Sequence, residues 1–201
     1  MKRLIYSAAL AFYLSAVLIG RATAQSNSVY VSTDALAYSV HVSSLKALNF
    51  GNLKYHLGGE WIQLRDGRYR HRDRPFGGVD ADVQNVWLFD VSNEQPQHAL
   101  VSIDLTHFGG SSSPDGYVLL FEIRGGALVQ SAEFKYDAQA PGTGAKFDRS
   151  ELTIVARTNE NTPNCCAKHV DEETFAWISG KFQQVRYRVM PVVDPQARKS
   201  P

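Results

Sequence analysis

Leu53-Lys54-Tyr55-His56-Leu57, Gly58-Gly59, Trp61-Ile62-Gln63-Leu64, Asp66-Gly67 and Arg68-Tyr69-Arg70 follow one another almost without a break. Apolar and polar side chains alternate through the three apolar segments, which is the period of a half-buried strand. Gly-Gly and Asp-Gly supply the positive φ that tight hairpin turns require. The stretch therefore reads as short antiparallel strands, because a parallel crossover needs a dozen or more residues.

The same pattern runs on through Gln84 to Phe89, His98 to Leu105, Tyr117 to Arg124, Leu128 to Tyr136, Glu151 to Arg157, Glu173 to Ser179 and Phe182 to Val189. These segments are rich in Val, Ile, Phe, Tyr and Trp, which suit a pleated surface. Pro114-Asp115-Gly116, Gly125-Gly126, Pro141-Gly142-Thr143-Gly144 and Ser179-Gly180-Lys181 carry turn chemistry between them. No capped helix of useful length is legible. The fold class is all-β: an antiparallel meander over residues 45–190, closed as a sandwich or a barrel. Residues 25–44 read as an N-terminal extension with one strand, and 191–201 as a disordered tail.

At the N-terminus, Lys2 and Arg3 precede the apolar run Leu4 to Leu18, and Ala22-Thr23-Ala24 has the small-x-small form of a signal-peptidase site. The run is shorter than the ~20 residues that span a bilayer. Residues 1–24 are therefore expected to be a signal peptide, cleaved before Gln25 and directing the chain to the periplasm or the exterior. The mature chain would keep 177 of 201 residues, one domain on size. Loss of Lys2, Arg3 and Arg21 takes the basic count from 21 to 18 against 20 acidic residues, a net charge of −2. Nucleic-acid binding domains carry a clear basic excess, so that class is set aside.

An exported chain meets an oxidising compartment, which gives weight to its two cysteines, the adjacent Cys165 and Cys166. Neighbouring Cα atoms lie 3.8 Å apart, below the ~4.4 to 6.8 Å of an ordinary disulfide, so a ring across the pair is strained. Three readings stand: a vicinal disulfide that locks a turn, two free thiols, or redox or intermolecular chemistry. C-x-x-C spacing is absent.

Five arginines fall in ten residues, among them Arg68, Arg70, Arg72 and Arg74. On a strand their even spacing puts them on one face, with Tyr69 and His71 on the other. They make a candidate anionic-ligand patch through bidentate contacts, or a solvent-facing edge strand that resists unwanted pairing. Asp90-Val91-Ser92-Asn93-Glu94 is spaced somewhat like a calcium loop, but Gln95-Pro96 stands where the loop needs Gly and His98 where it needs an acid, so a plain hairpin is expected. Asp80 and Asp82 read as a solvated loop. The six histidines lack zinc spacing, and Ser111 lacks the context of a nucleophile elbow. No cofactor or metal is expected, and no catalytic residue can be named.

Several of these segments, in order, resemble a group of uncharacterised secreted bacterial β-rich proteins with an L-x-D-G-x-Y hairpin, an aspartate-rich D-x-x-G-D-G-like loop, a G-G-S turn and a late C-C-P loop. Leu64-Arg65-Asp66-Gly67-Arg68-Tyr69, Asp90 to Val101, Gly109-Gly110-Ser111 and Asn164-Cys165-Cys166-Ala167 carry the resemblance. Ala167 stands in place of the proline, and the aspartate-rich loop keeps few acids, so a calcium role does not carry over. The resemblance implies an exported β-rich domain and no established catalysis. The expected function is a non-enzymatic binding or structural module of the cell envelope, with an envelope protein or glycan as partner. The competing expectation is an inhibitor or chaperone-like partner of an envelope enzyme.

Overall fold

The computed structural model describes residues 28–73, 77–109, 114–158 and 167–192, within which thirteen strands and two 3-10 turns occur and no α-helix. The strands are β1 (Val29–Ser32), β2 (Leu36–His41), β3 (Lys54–Leu57), β4 (Glu60–Gln63), β5 (Arg68–Asp73), β6 (Gly77–Ser92), β7 (Gln95–Phe108), β8 (Pro114–Arg124), β9 (Ala127–Asp137), β10 (Gly144–Asp148), β11 (Glu151–Arg157), β12 (His169–Ile178) and β13 (Lys181–Pro191). All pairings are antiparallel. The large sheet runs β1-β9-β8-β7-β6-β5, with β2 also on β9; a second sheet runs β10-β11-β12-β13; β3 and β4 form a separate hairpin.

The arrangement is a sandwich, and its large sheet is covered on both faces. Alternate residues of the same strands feed two separate cores, as a pleat with period two requires. Ala99, Val101, Ile103, Tyr117, Leu119, Phe121 and Leu128 face the first core, beneath a cap made by β2, the 3-10 turns at Leu45–Ala47 and Phe50–Asn52, and the β3–β4 hairpin. Leu100, Val118, Leu120, Ala132, Phe134 and Tyr136 face the second, against Leu152, Ile154 and Phe175 of the four-stranded sheet. Double burial explains why β7 and β8 read as nearly continuous apolar runs where an ordinary surface strand alternates.

The turns follow the expected chemistry. Gly58-Gly59, Asp66-Gly67, Gly125-Gly126 and Ser179-Gly180 all hold two successive residues at positive φ, the form whose twist matches paired strands. Asn93-Glu94 (φ 50° and 62°) and Arg149-Ser150 (φ 48° and 65°) do the same without glycine. The segment from Asp90 is thus the tip of the β6–β7 hairpin.

Three local readings are corrected. Pro114-Asp115-Gly116 is the start of strand β8 and no turn: Gly116 pairs with Asp104 on one side and Tyr136 on the other. Gly77 to Asp82 is the first part of β6 and no solvated loop, because Asp80 and Asp82 gain partners on β5. The stretch before Lys54 supplies two strands, β1 and β2, both held along β9. Cys165, Cys166, Arg74 and Ser111, with residues 193–201 of the tail, lie outside the described residues.

Candidate binding sites

The arginine stripe is the first sequence-derived site, and the register of β5 on β6 settles its surroundings. Arg68 faces Asp82 and Arg70 faces Asp80 across the strand pair. Arg70 Nη2 donates to both carboxylate oxygens of Asp82 (3.0 and 2.8 Å), and Arg72 Nη2 donates to Asp80 Oδ2 at 2.9 Å. Arg68 Nε lies 3.4 Å from Asp82 Oδ1, and Arg70 Nε 3.3 Å from Asp80 Oδ2. Arg72 also covers the Phe108 ring, 4.2 Å from its centroid. Three guanidinium groups therefore share two carboxylates in a cross-strand ladder, with Tyr69 and His71 stacked on the opposite face. The ladder accounts for the charge alternation without a ligand.

A different surface stands out on the cap. Trp61 of β4 keeps 46% of its surface exposed, whereas the other two tryptophans, Trp87 and Trp177, are partly buried; among the aromatic rings Tyr30 is more exposed still. Its position is fixed by neighbours: the Tyr38 ring meets it edge-on (5.4 Å, 76°), His56 packs at 5.2 Å, and Lys54 Nζ lies 5.6 Å from its ring centroid. Tyr38 is itself buried and held. Its phenol donates to Gln130 Oε1 at 2.8 Å and accepts the His56 backbone N–H at 3.4 Å, while Gln130 Nε2 donates to Glu133 at 3.4 Å. Burial pushes the Tyr38 phenol well above its usual range, so it stays a protonated donor. Burial likewise raises the Glu133 carboxyl. Beside Trp61 opens a cavity of about 380 Å³, lined by Tyr38, Ser39, Val40, Lys54 and Trp61.

The chemistry of this place is a rigid aromatic plate flanked by an ammonium group and a hydroxyl. It can pack the apolar face of a ring and hydrogen-bond its rim. Sequence reading put Trp61 in a strand and passed over it; the signal was present, since its cross-strand partner His56 and next-nearest neighbour Lys54 share its outward face. Tyr38 could not have been connected, because it comes from another strand.

Among the described residues, no group of three His, Cys, Asp or Glu side chains is placed to hold a metal ion. No helix among them is long and apolar enough to cross a membrane. Comparison with family models, with curated proteins and with solved structures returns no match.

Proposed function

We propose that the protein is a non-enzymatic, exported binding module of the cell envelope, and that its ligand is an envelope glycan taken at Trp61. One observation carries this reading: an indole left 46% exposed yet immobilised by Tyr38 and His56 beside a cavity of about 380 Å³. An ordinary surface tryptophan has no such support. Ordering its neighbours before the ligand arrives removes a cost that binding would otherwise carry. A pyranose ring offers an apolar C–H face to the indole and hydroxyls to Ser39 and Lys54. The N-terminal stretch that reads as a signal peptide, and the motifs that resemble those of secreted β-rich proteins, support the location.

Co-sedimentation with insoluble cell-wall glycan tests this. The native protein pellets with the glycan, and Trp61→Ala, folded by circular dichroism, stays in the supernatant. A hydrolytic activity that one polar substitution abolishes while folding is intact would replace the reading with an enzymatic one.

The alternative, a partner of an envelope enzyme, is favoured by one feature. β13 is the last strand of its sheet, eleven residues long, with Val185 and Val189 about half exposed. An open edge of this kind accepts an added strand. Recovery of a stoichiometric protein from envelope extract, lost on Val185→Pro, would support that reading.

A further inference from the structure

Across the large sheet, one row of residues stands in register on four successive strands: Asp82 of β6, Asp104 of β7, Gly116 of β8 and Tyr136 of β9. Like charges directly opposite each other destabilise a sheet, so the Asp82–Asp104 pair costs the fold something. Asp82 is compensated by Arg68 and Arg70. Asp104 has no ion pair or hydrogen bond among the described residues, and the sheet supplies no cation to its side of the row.

The row opens into a cavity of about 220 Å³ where the large sheet meets the segment leading into β10. Its polar lining is Gln84, Asn85, Ser102, Asp104, Tyr136 and Thr143. Three features show that the lining is assembled by the fold. First, the β6–β7 register shifts between Val83 and Asn85. Consecutive residues of a regular strand point to opposite faces, yet Gln84 and Asn85 both line the cavity, and a bulge re-aims side chains in this way. Second, Gly116 is not at positive φ; its lack of a side chain serves packing. An ideal Cβ at Gly116 would lie 2.1 Å from Cζ of Tyr136. The Tyr136 ring therefore occupies the space over β8 and brings its phenol toward Ser102 and Asp104. Third, Ser102 and Tyr136 each keep only 2% of their surface exposed, and both line the cavity.

We propose that this cavity is a second ligand site, and that it takes the ammonium group of a small primary amine. The carboxylate of Asp104 supplies the one charge the fold leaves uncompensated there. The amides of Gln84 and Asn85 and the hydroxyls of Ser102 and Tyr136 supply neutral polar groups around it, and the Thr143 hydroxyl, which donates to Ala140 O at 2.7 Å, adds an acceptor. A volume of about 220 Å³ suits an amino sugar or a short amine. The site lies apart from Trp61, on the opposite face of the large sheet, and stands whether or not Trp61 binds glycan.

Two-dimensional NMR titration of the full mature chain with glucosamine, glucose and ethanolamine tests the proposal. Glucosamine and glucose share a frame and differ in the ammonium; ethanolamine carries the ammonium without the sugar. Glucosamine is expected to shift amides at 84–85, 102–104 and 143–145, and glucose to bind at least ~10-fold more weakly, the loss expected for one charge-assisted hydrogen bond. Asp104→Asn weakens glucosamine at these amides by the same factor with the spectrum of a folded protein; Asn85→Ala, in which every charge is kept, weakens it less. Ethanolamine binding as tightly as glucosamine identifies a simple amine as the ligand, and weaker binding identifies an amino sugar. Equal binding of glucose and glucosamine, absence of shifts at these amides with both amines, or an unaltered affinity in Asp104→Asn would overturn the proposal.

Discussion

Gly116 and Tyr136 form a pair in which the absence of one side chain gives the other its place. Gly116→Ala would force a methyl group into the Tyr136 ring, 2.1 Å from Cζ. Overpacking of this kind costs about 1 to 3 kcal/mol, measurable by urea denaturation. In a Tyr136→Ala background the same substitution should cost almost nothing, and the double-mutant cycle isolates the contact. Asp104 behaves in the opposite sense. Burial first, and then the Asp82 carboxylate, hold its carboxyl above the usual range. Gly116 adds no charge from β8, and Tyr136, pushed up to about 12 by burial and by Asp104, stays neutral. A carboxyl whose folded-state pKa is raised favours the fold only while protonated, and that contribution is lost as pH rises through the raised value. Asp104→Asn should therefore raise stability at pH 7, by up to about 1 kcal/mol, with the gain shrinking on acidification; thermal melts at several pH values read it. At this scale the sequence was misleading at Gly116, since Pro-Asp-Gly is turn chemistry and nothing local reveals a tyrosine twenty residues away.

Strands β5 and β6 show how an element acquires its charge pattern from its partner. The even spacing of Arg68, Arg70 and Arg72 was legible, and so was their common face. The carboxylates that meet them were not, because Gly77-Gly78 before Asp80 and Asp82 suggested a loop. Each exposed ion pair in the ladder contributes little, about 0.2 to 1 kcal/mol. Its larger effect is on surface potential: Asp80→Asn with Asp82→Asn uncovers three guanidinium groups. That variant should elute from immobilised heparin at clearly higher salt than the native chain, with little change in melting temperature. Unchanged retention would mean that the arginines are held away from solvent anions by something other than the two aspartates. The hairpin turns divide along the same line. Those with glycine announced themselves, and the hairpin at Asn93-Glu94 was expected too, whereas Arg149-Ser150 reaches positive φ under the demand of the strands around it, and β10 was missed with it.

For the whole molecule, the decisive feature is one large sheet covered on both faces. The all-β class and most strands follow from period-two patterning and turn residues. Which strands would be covered twice was signalled only by the unbroken apolar runs of β7 and β8, and the partner layers come from distant segments. Because β7, β8 and β9 feed both cores, the cores should fail together. Phe121→Ala in the first and Phe134→Ala in the second each remove a buried ring and should each cost about 3 to 5 kcal/mol. Both variants should still unfold in a single transition by near- and far-ultraviolet circular dichroism; two separated transitions would show independent layers. The two proposed sites, at Trp61 on the cap and at Asp104 beside β10, lie beside elements that cover the large sheet, which agrees with the preference of ligand sites for boundaries between layers. The most direct test is on the cap. Native protein and Trp61→Ala are sedimented with insoluble cell-wall glycan under identical conditions: the account predicts that the native chain pellets and the variant does not, and equal pelleting of the two, or none by either, would contradict it.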